Sequence, residues 1–118
     1  MKKLLNISNH NSMNWSDAQK AGWAEIIDVP FPNVPANADF DTVANMACQI
    51  CETIGKFLNE NTDSKVMLQG EFSLCAIVFH SVSDFPFVFP TTERKTIETV
   101  NADGTTTKTA VFEFVQWR

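Results

Sequence analysis

The fold is decided by residues 25–69, which read EIIDVPFPNVPANADFDTVANMACQICETIGKFLNENTDSKVMLQ. Apolar side chains recur at helical spacing from Phe40 to Leu58, and Asp39 or Asp41 is placed to cap the start of that helix. The apolar stretch EIIDV before the helix and the stretch KVMLQ after it are each typical of a strand. The order strand, helix, strand predicts a parallel sheet with a helix on its face.

The rest of the chain continues this alternation. The further predicted elements are a strand over 3–8, a short helix from Ser16, a helix over 72–82, a strand over 87–89, and a hairpin with strands over 95–100 and 105–117. The stretch 72–82 has the composition of a buried strand or a buried helix, and its position after a strand and a glycine turn favours the helix. The sequence therefore predicts an α/β fold, with a Rossmann-like, mainly parallel sheet, helices on both faces and a C-terminal β-hairpin. A chain of 118 residues fits a single domain, residues 1–118.

Composition narrows the classes of partner. Nine Lys and Arg against fourteen Asp and Glu give a formal charge of −5, and a long nucleic-acid duplex needs a basic stripe that this balance does not supply. A small anionic ligand is compatible with it, because helix N-termini and neutral donors hold phosphates without net positive charge. No apolar run reaches the ~18–20 residues that span a membrane. We therefore expect neither a long duplex nor a membrane as a partner.

The cysteines and histidines favour structural roles over cofactor chemistry. Cys48, Cys51 and Cys75 are odd in number and lie in apolar runs, which argues against a disulfide framework and for a reducing, cytoplasmic setting. Cys48 and Cys51 form a C-x-x-C pair in mid-helix, where core packing is favoured over redox or zinc chemistry. His80 lies within an apolar run, which favours a structural histidine. No Gly-rich phosphate loop follows the first strand, which disfavours an enzyme that uses nicotinamide or ATP. The sequence has no second Cys pair and no histidine near the first, so neither a cofactor nor a metal is expected.

Polar segments follow three of the predicted strands. They are residues 8–12 after the first strand, residues 69–71 after the third and residues 91–94 after the fourth. Ligands of parallel sheets gather at the carboxyl ends of the strands. These three segments are therefore the candidate site.

Several residues of these segments have two interpretations. His10 either contacts a phosphate or ribose hydroxyl or faces water in its loop. The glycine Gly70 is a weak signal, because it also serves a turn, and Glu71 is favoured as a carboxylate that compensates a helix dipole. Arg94 is placed to hold a phosphate, and the alternative is a surface pair with a neighbouring glutamate.

Four short motifs give the chain a resemblance to a known family. They are LLNISNH at 4–10, IDVPFP at 27–32, LQGE at 68–71 and the tail from TTER at 91–94 to the final Trp117-Arg118. In these motifs the chain resembles small stand-alone CRISPR-associated proteins, which are similar to the CRISPR-associated Rossmann-fold (CARF) sensor domains. The resemblance implies a homodimer whose sheets present their strand ends to a shared groove. That groove would bind a cyclic oligoadenylate, the second messenger of type III CRISPR defence.

Some members of this family are ring nucleases, and the resemblance implies the same activity here. A ribose 2′-hydroxyl would attack the neighbouring phosphate without a metal and leave a 2′,3′-cyclic phosphate, a reaction that needs positioning and charge stabilisation. By position in the motifs, Thr92 and Arg94 would stabilise the developing charge and His10 would assist proton transfer. The ligand-binding residues would be Ser8, Asn9, Ser12, Gln69, Gly70, Glu71 and Thr91.

Two alternatives use the same fold. One is a module that senses or sequesters the messenger without cleaving it. The other is a Rossmann-like subunit without a nucleotide ligand, in which the hairpin and its phenylalanines form a protein interface.

Overall fold

The computed structural model describes residues 2–118. Its elements are β1 (Lys3–Ile7), a 3-10 turn (Ser12–Asn14), α1 (Asp17–Lys20), β2 (Glu25–Val29), α2 (Phe40–Glu60), β3 (Lys65–Leu68), α3 (Phe72–Ser81), β4 (Pro90–Val100) and β5 (Thr106–Trp117). None of the helices within these residues is long and apolar enough to cross a membrane.

β1 is the centre of a three-stranded parallel sheet with the order β2-β1-β3. In its register, Leu5 of β1 lies beside Ile27 of β2 and Val66 of β3. β4 and β5 form a separate antiparallel pair at the end of the chain. The prediction of a mixed α/β fold with a parallel sheet and a C-terminal hairpin is therefore confirmed.

α2 begins at Asp39, whose Oδ1 accepts a hydrogen bond from the backbone N of Thr42 at 2.8 Å. This cap satisfies one of the N–H groups that a helix start leaves without a partner. α2 packs with α3 over one face of the sheet. The buried face of α2 consists of Val43, Ala47, Ile50, Ile54 and Phe57.

The other face of the sheet is covered differently. Alternate strand residues point to opposite faces, and Leu4 and Met67 are buried but lie outside the core that α2 and α3 form. Met67 lines a pocket with Trp15 and Gln19. The segment around the four-residue α1 therefore lies over this face, so the two long helices share one face and a single short helix lies on the other.

The predicted fourth strand at 87–89 is reduced to one parallel bridge, between Phe87 and Val66. Pro86 and Pro90 flank this segment, and proline has no N–H to donate to a ladder. The expectation of a full strand there was wrong because the apolar residues between the prolines are too few to extend the pairing.

The hairpin begins earlier than predicted. β4 starts at Pro90 and not at Lys95, so residues 91–94 lie in a strand and not in a loop. β5 pairs with β4 along its whole length, with one bulge near the start of β4, between Thr91 and Thr92. The polar side chains of this segment gave it the pattern of a loop, but strand formation depends on the neighbouring strand more than on local composition.

Two predictions of buried side chains were also wrong. His80 is exposed on α3, and Cys48 is exposed on α2, whereas Cys51 is half-buried against the core. In each helix the apolar residues cover more of the helix surface than the face that packs against the core. Hydrophobic composition alone did not reveal which side chains lie on that face.

β4, β5 and the turn between them form a long hairpin that we call the arm (residues 90–117). The radius of gyration is 17.9 Å and the molecule extends over 57 × 41 × 21 Å, whereas a compact chain of this length has a radius of about 13 to 14 Å. Trp117 anchors the base of the arm. Its indole Nε1 donates to the backbone O of Gln19 at 3.0 Å, and its ring centre lies 5.6 Å from those of both Trp15 and Trp23.

Candidate functional site

A hydrogen-bonded network beneath the first loop fixes the shape of that loop. The buried Asn6 donates from Nδ2 to Asp28 Oδ1 at 2.7 Å and to the backbone O of His10 at 2.9 Å. Asp28 lies beside Asn6 in the register of β1 and β2, and its Oδ2 accepts from Ser12 Oγ at 2.7 Å. Ser8 Oγ donates to Asn6 Oδ1 at 2.7 Å and accepts from the backbone N of His10 at 3.1 Å. Side chains of two strands therefore hold the loop that carries His10.

Asp28 is the charged member of this network. Burial on its own would raise the pKa of the Asp28 carboxyl, but the hydrogen bonds from the side chains of Ser12 and Asn6 and from the backbone N of Ser12 outweigh it. Together they hold the pKa of Asp28 below its ordinary value. At neutral pH this carboxylate is consequently a fixed hydrogen-bond acceptor and not a proton donor.

His10 lines a pocket of about 310 Å³ together with Gln69 and Thr92. His10 comes from the loop after β1, Gln69 follows β3, and Thr92 lies near the start of β4. Trp15 and Gln19 also line this pocket. Each of the three polar segments noted in the sequence thus contributes one residue to the lining of a single pocket.

A second pocket, of about 500 Å³, adjoins the first. It shares Trp15, Gln19 and Thr92 with the first pocket and runs along the base of the arm to Phe112 and Phe114. We refer to the two pockets together as the cleft.

Glu113 also lines the second pocket, and its carboxylate pairs with Lys95 Nζ at 2.8 Å. The other lining residues include neutral hydrogen-bonding side chains and aromatic rings, which suit nucleobases and their sugar-phosphate links.

Ser8, Asn9 and Ser12 lie around the base of the first loop. Ser8 and Asn9 line a pocket of about 260 Å³ beside Asp28 and Pro30. Ser12 is buried, and both its backbone N and its hydroxyl donate to Asp28. The structure gives Ser8 and Ser12 a role in shaping the loop, while His10 reaches the cleft.

Gly70 is required by packing. A Cβ atom at this position would lie 2.5 Å from ring carbons of Phe31, and Phe31 is buried in the core. Carbon atoms do not approach so closely, so a larger residue would displace the ring. Gly70 also lines an apolar pocket of about 250 Å³ with Phe72 and Phe79. Its contact with Phe31 accounts for the glycine without a ligand.

Glu71 caps the start of α3. Its carboxylate accepts from the backbone N of Ser73 and of Leu74, both at 2.9 Å, and from the Ser73 hydroxyl at 2.6 Å. These hydrogen bonds, with that of the Ser73 side chain as the largest contribution, hold the pKa of Glu71 below its ordinary value. The structure places Glu71 in the helix-capping position that the sequence favoured.

The remaining predicted residues lie on β4. Thr91 Oγ1 donates to the backbone O of Gln116 at 2.9 Å and so ties the two strands together at the base of the arm. Arg94 is exposed and lies opposite Phe112. It lies two residues beyond Thr92 on the same face of the strand, and its partner Phe112 lines the cleft whereas Arg94 itself is not among the lining residues of either pocket.

The arrangement of thiols and carboxylates within residues 2–118 does not favour metal or redox chemistry. No group of three or more His, Cys, Asp or Glu side chains there is placed to hold a metal ion. Burial raises the pKa of the Cys51 and Cys75 thiols, which disfavours the thiolate that redox and metal chemistry need.

Four residues of the site were missed by the sequence analysis: Asn6, Trp15, Gln19 and Asp28. A signal existed for two of them, because Asn6 and Asp28 are each the fourth residue of a five-residue apolar strand. Polar side chains at the same position of two adjacent strands are expected to contact each other. Trp15 and Gln19 had no comparable signal, since both contact Trp117 at the base of the arm, which in the case of Gln19 is 98 residues away in the chain.

One family model matches the chain. It is described as the Uncharacterized protein MJ1673 family, and the match covers residues 2–118. No curated protein and no solved structure matches the chain.

Proposed function

The chain belongs to the Uncharacterized protein MJ1673 family, and we propose that it binds a cyclic oligoadenylate in the cleft and cleaves it as a metal-independent ring nuclease. The observation that carries this proposal is the pocket that His10, Gln69 and Thr92 line together. These residues lie far apart in the sequence. Each belongs to a segment that the resemblance to CRISPR-associated proteins assigns to the ligand.

The dimensions and chemistry of the cleft fit individual nucleotides of such a ligand. Its two pockets measure about 310 and 500 Å³, and small-molecule sites commonly measure ~300–1,000 Å³. Trp15, Phe112 and Phe114 offer rings on which adenines stack, and stacking does not require basic side chains. Gln19 and Gln69 offer amide donors and acceptors for base edges and phosphate oxygens. Neutral donors matter here because the chain carries a net charge of −5.

The proposed reaction needs one proton carrier and several positioned donors. The 2′-oxygen of a ribose forms a bond to the adjacent phosphorus, and the bond from that phosphorus to the 5′-oxygen breaks. The 2′-hydroxyl loses its proton, and the departing 5′-oxygen gains a proton. In this proposal His10 carries a proton in that exchange, while the Thr92 hydroxyl and the Gln69 amide donate to the phosphate oxygens. The network of Asn6, Ser8 and Asp28 positions the His10 backbone.

A Rossmann-like class of the fold and a cytoplasmic location belong to the same proposal. The strand order β2-β1-β3 supports the first, because doubly wound sheets of the 2-1-3 type bind ligands at the carboxyl ends of their strands. The free cysteines Cys48, Cys51 and Cys75 support the second, because free thiols are typical of a reducing compartment.

A second candidate function is sequestration of the messenger without cleavage. Of the residues that line the His10 pocket, His10 is the one with a titratable side chain. A site with a single proton carrier has the means to bind the ring, but cleavage would depend on that one residue. This observation makes His10 the residue that separates the two candidates.

The proposed activity is tested by incubation of the protein with cyclic tetra-adenylate and cyclic hexa-adenylate in the presence of EDTA. The products are then separated by chromatography. We expect linear products that carry 2′,3′-cyclic phosphate ends. Intact rings together with measurable binding would support sequestration. Absence of binding to both rings would overturn both candidates.

Replacement of His10 tests its role in the reaction. We expect His10→Ala to lower the cleavage rate by about 10²- to 10⁴-fold, the usual contribution of general acid-base catalysis, with the ring still bound. The matched control is His80→Ala, because His80 is exposed on α3 and should leave the rate within about twofold. Equal rates in the two variants would contradict the assignment of His10.

A further inference from the structure

Two further pockets lie at the carboxyl ends of β1 and β2, apart from the cleft. One is mainly apolar, measures about 200 Å³ and lies between these strand ends and α2. The other is more polar, measures about 260 Å³ and lies beside Asp28 and the first loop. Val29 and Pro30 line both pockets, which therefore adjoin, and we call them together the β2 groove. Within residues 2–118, no residue lines both the β2 groove and the cleft.

The apolar pocket of the β2 groove is formed by residues that the core holds in place. Ile7 and Ile50 line it and are buried. Pro30 and Pro32 also line it, and the ring of a proline fixes the backbone angle φ. Phe31 lies between the two prolines in the chain and is 5% exposed, so it anchors both to the core. A preformed apolar pocket of this kind suits a flat ring of a small ligand.

The polar pocket of the β2 groove suits a ligand hydroxyl. Asp28 accepts three hydrogen bonds, one from Asn6 Nδ2 and two from the backbone N and Oγ of Ser12. A carboxylate has about four acceptor positions, so one remains for a ligand. Asn9 and Asn11 line the same pocket, and their amide groups need acceptors as well as donors. A hydroxyl both donates and accepts, whereas an ammonium only donates and would leave the amide N–H groups without a partner.

The charge of the β2 groove selects against anions. Asp28 is the charged residue of its lining, and the polar residues that α2 contributes, Gln49 and Thr53, are neutral. The lining contains no Lys, Arg or His, so a phosphate there would meet a carboxylate without a compensating cation. The ligand of the β2 groove is therefore neutral. In a cyclic oligoadenylate every 3′-oxygen carries a phosphate, so that ring does not fit this pocket.

We propose that the β2 groove binds a neutral nucleoside, with its base in the apolar pocket and its ribose hydroxyls on Asp28 and Asn9. The topology supports this assignment. In dinucleotide-binding sheets an acidic residue about 20 residues after the first turn binds a ribose hydroxyl, and Asp28 has the corresponding place near the end of β2. The groove lacks a cation for a pyrophosphate, so the nucleoside is the part of such a ligand that fits. This proposal does not rest on the proposed nuclease activity.

Two methionines report on the two sites separately. Met46 lines the β2 groove and Met67 lines the cleft, and NMR of isotope-labelled methionine methyl groups, assigned with Met46→Leu and Met67→Leu, follows both in the full chain. We expect adenosine to shift the Met46 signal and not the Met67 signal, with a dissociation constant below about 1 mM. A shift of Met67 without one of Met46, or an unchanged Met46 signal at about 5 mM adenosine, would overturn the proposal.

A series of ligands tests the contacts of the ribose by the same measurement. We expect 2′,3′-dideoxyadenosine to bind at least about tenfold more weakly than adenosine, because it lacks both hydroxyls. Adenosine 3′-phosphate should also bind at least about tenfold more weakly, because its phosphate would lie beside Asp28. Equal affinities of adenosine and its dideoxy analogue, or tighter binding of the 3′-phosphate, would contradict the assignment. A shift of Met46 by phenethylamine but not by adenosine would show an amine site instead.

Substitutions on the protein complete the test. Asn9→Ala should weaken adenosine binding about 3- to 10-fold, the effect of one lost hydrogen bond. The matched control is Asn45→Ala, because Asn45 is exposed on α2 and does not line the β2 groove, and its affinity should stay within about twofold. His10→Ala should also keep the affinity for adenosine, so a failure of the nuclease proposal and a failure of this one are distinguishable. Equal affinities of the Asn9→Ala and Asn45→Ala variants would overturn the proposed contact.

Discussion

Gly70 and Phe31 contact each other so closely that the turn after β3 is fixed to the loop after β2. The missing side chain at Gly70 leaves room for the aromatic ring, which is 5% exposed. The residue before this glycine, Gln69, lines the cleft. The packing of one glycine therefore sets the position of a candidate ligand-binding side chain.

Replacement of this glycine should destabilise the fold. We expect Gly70→Ala to lower the free energy of unfolding by about 1–3 kcal/mol, the usual cost of an overpacked core, as measured by urea denaturation. The matched control is Gly55→Ala in α2, where an added Cβ meets nothing within 4 Å. That change should raise the free energy of unfolding by about 0.5–1 kcal/mol, because alanine favours the helix. Effects of the same sign at both positions would contradict the packing role.

At the scale of the elements, the junction of α1 and the arm is held by a small aromatic cluster. Trp117 of β5 contacts Trp15 and Trp23 from the segment around α1, and Phe114 lies 5.8 Å from it. α1 is four residues long, too short to be stable alone. Its position, and with it one wall of the cleft, therefore depends on the arm.

Removal of the anchor should loosen this junction. We expect Trp117→Ala to lower the free energy of unfolding by about 2 kcal/mol, less than the ~3–5 kcal/mol of a fully buried aromatic residue because Trp117 is half-buried. Amide hydrogen exchange in α1 and at the base of the arm should become faster. Phe112→Ala serves as the control, because Phe112 is 68% exposed and its loss should change stability by no more than about 0.5 kcal/mol. Equal effects of the two substitutions would show that Trp117 is not the anchor.

Local patterns were sufficient to predict the parallel sheet and its long helices. α2 was predicted from its apolar spacing and from Asp39 or Asp41 as its cap, of which Asp39 caps the helix. α3 was predicted from its position after the Gly70 turn, where Glu71 completes the start of the helix. The strand at 87–89 and the start of β4 were predicted wrongly. Whether these two segments form strands depends on which distant strand pairs with them, and a single sequence does not contain that information.

The candidate site was predictable to a similar extent. The rule that ligands gather at strand ends selected His10 and Gln69, which both line the cleft. Thr92 also lines it, although it lies in a strand and not in the loop that was expected. The contribution of Trp15 was not predictable, because it depends on contacts with Trp117 at the other end of the chain.

At the scale of the whole molecule, stability should fall on acidification. Hydrogen bonds hold the pKa values of Asp28, Asp39, Glu71 and Asp103 below their ordinary values. A carboxyl with a lowered pKa in the folded state stabilises the protein above its unfolded pKa, near ~3.9 for Asp. That contribution is lost as the pH falls through the lower folded pKa.

Asp28 is the member of this set that connects two strands to the first loop, so its replacement should reduce the pH dependence. We expect Asp28→Asn to lower the free energy of unfolding at neutral pH by about 1–3 kcal/mol, the usual value of hydrogen bonds to a charged group. The difference in stability between about pH 7 and about pH 3 should become smaller than in the wild-type chain. Urea denaturation at both pH values measures this, with the exposed Asp17→Asn as the control that keeps the wild-type difference. An unchanged pH dependence in Asp28→Asn would contradict the role of the network.

The clustering of Trp15, Trp23 and Trp117 at the base of the arm gives the molecule an internal optical probe. The chain contains three tryptophans and no tyrosine, so its ultraviolet emission arises at this single junction. Two of the three rings belong to the segment around α1, the third is at the base of the arm, and Trp15 also lines the cleft. Detachment of the arm and entry of a nucleobase into the cleft will therefore both change the intrinsic fluorescence, without any attached dye.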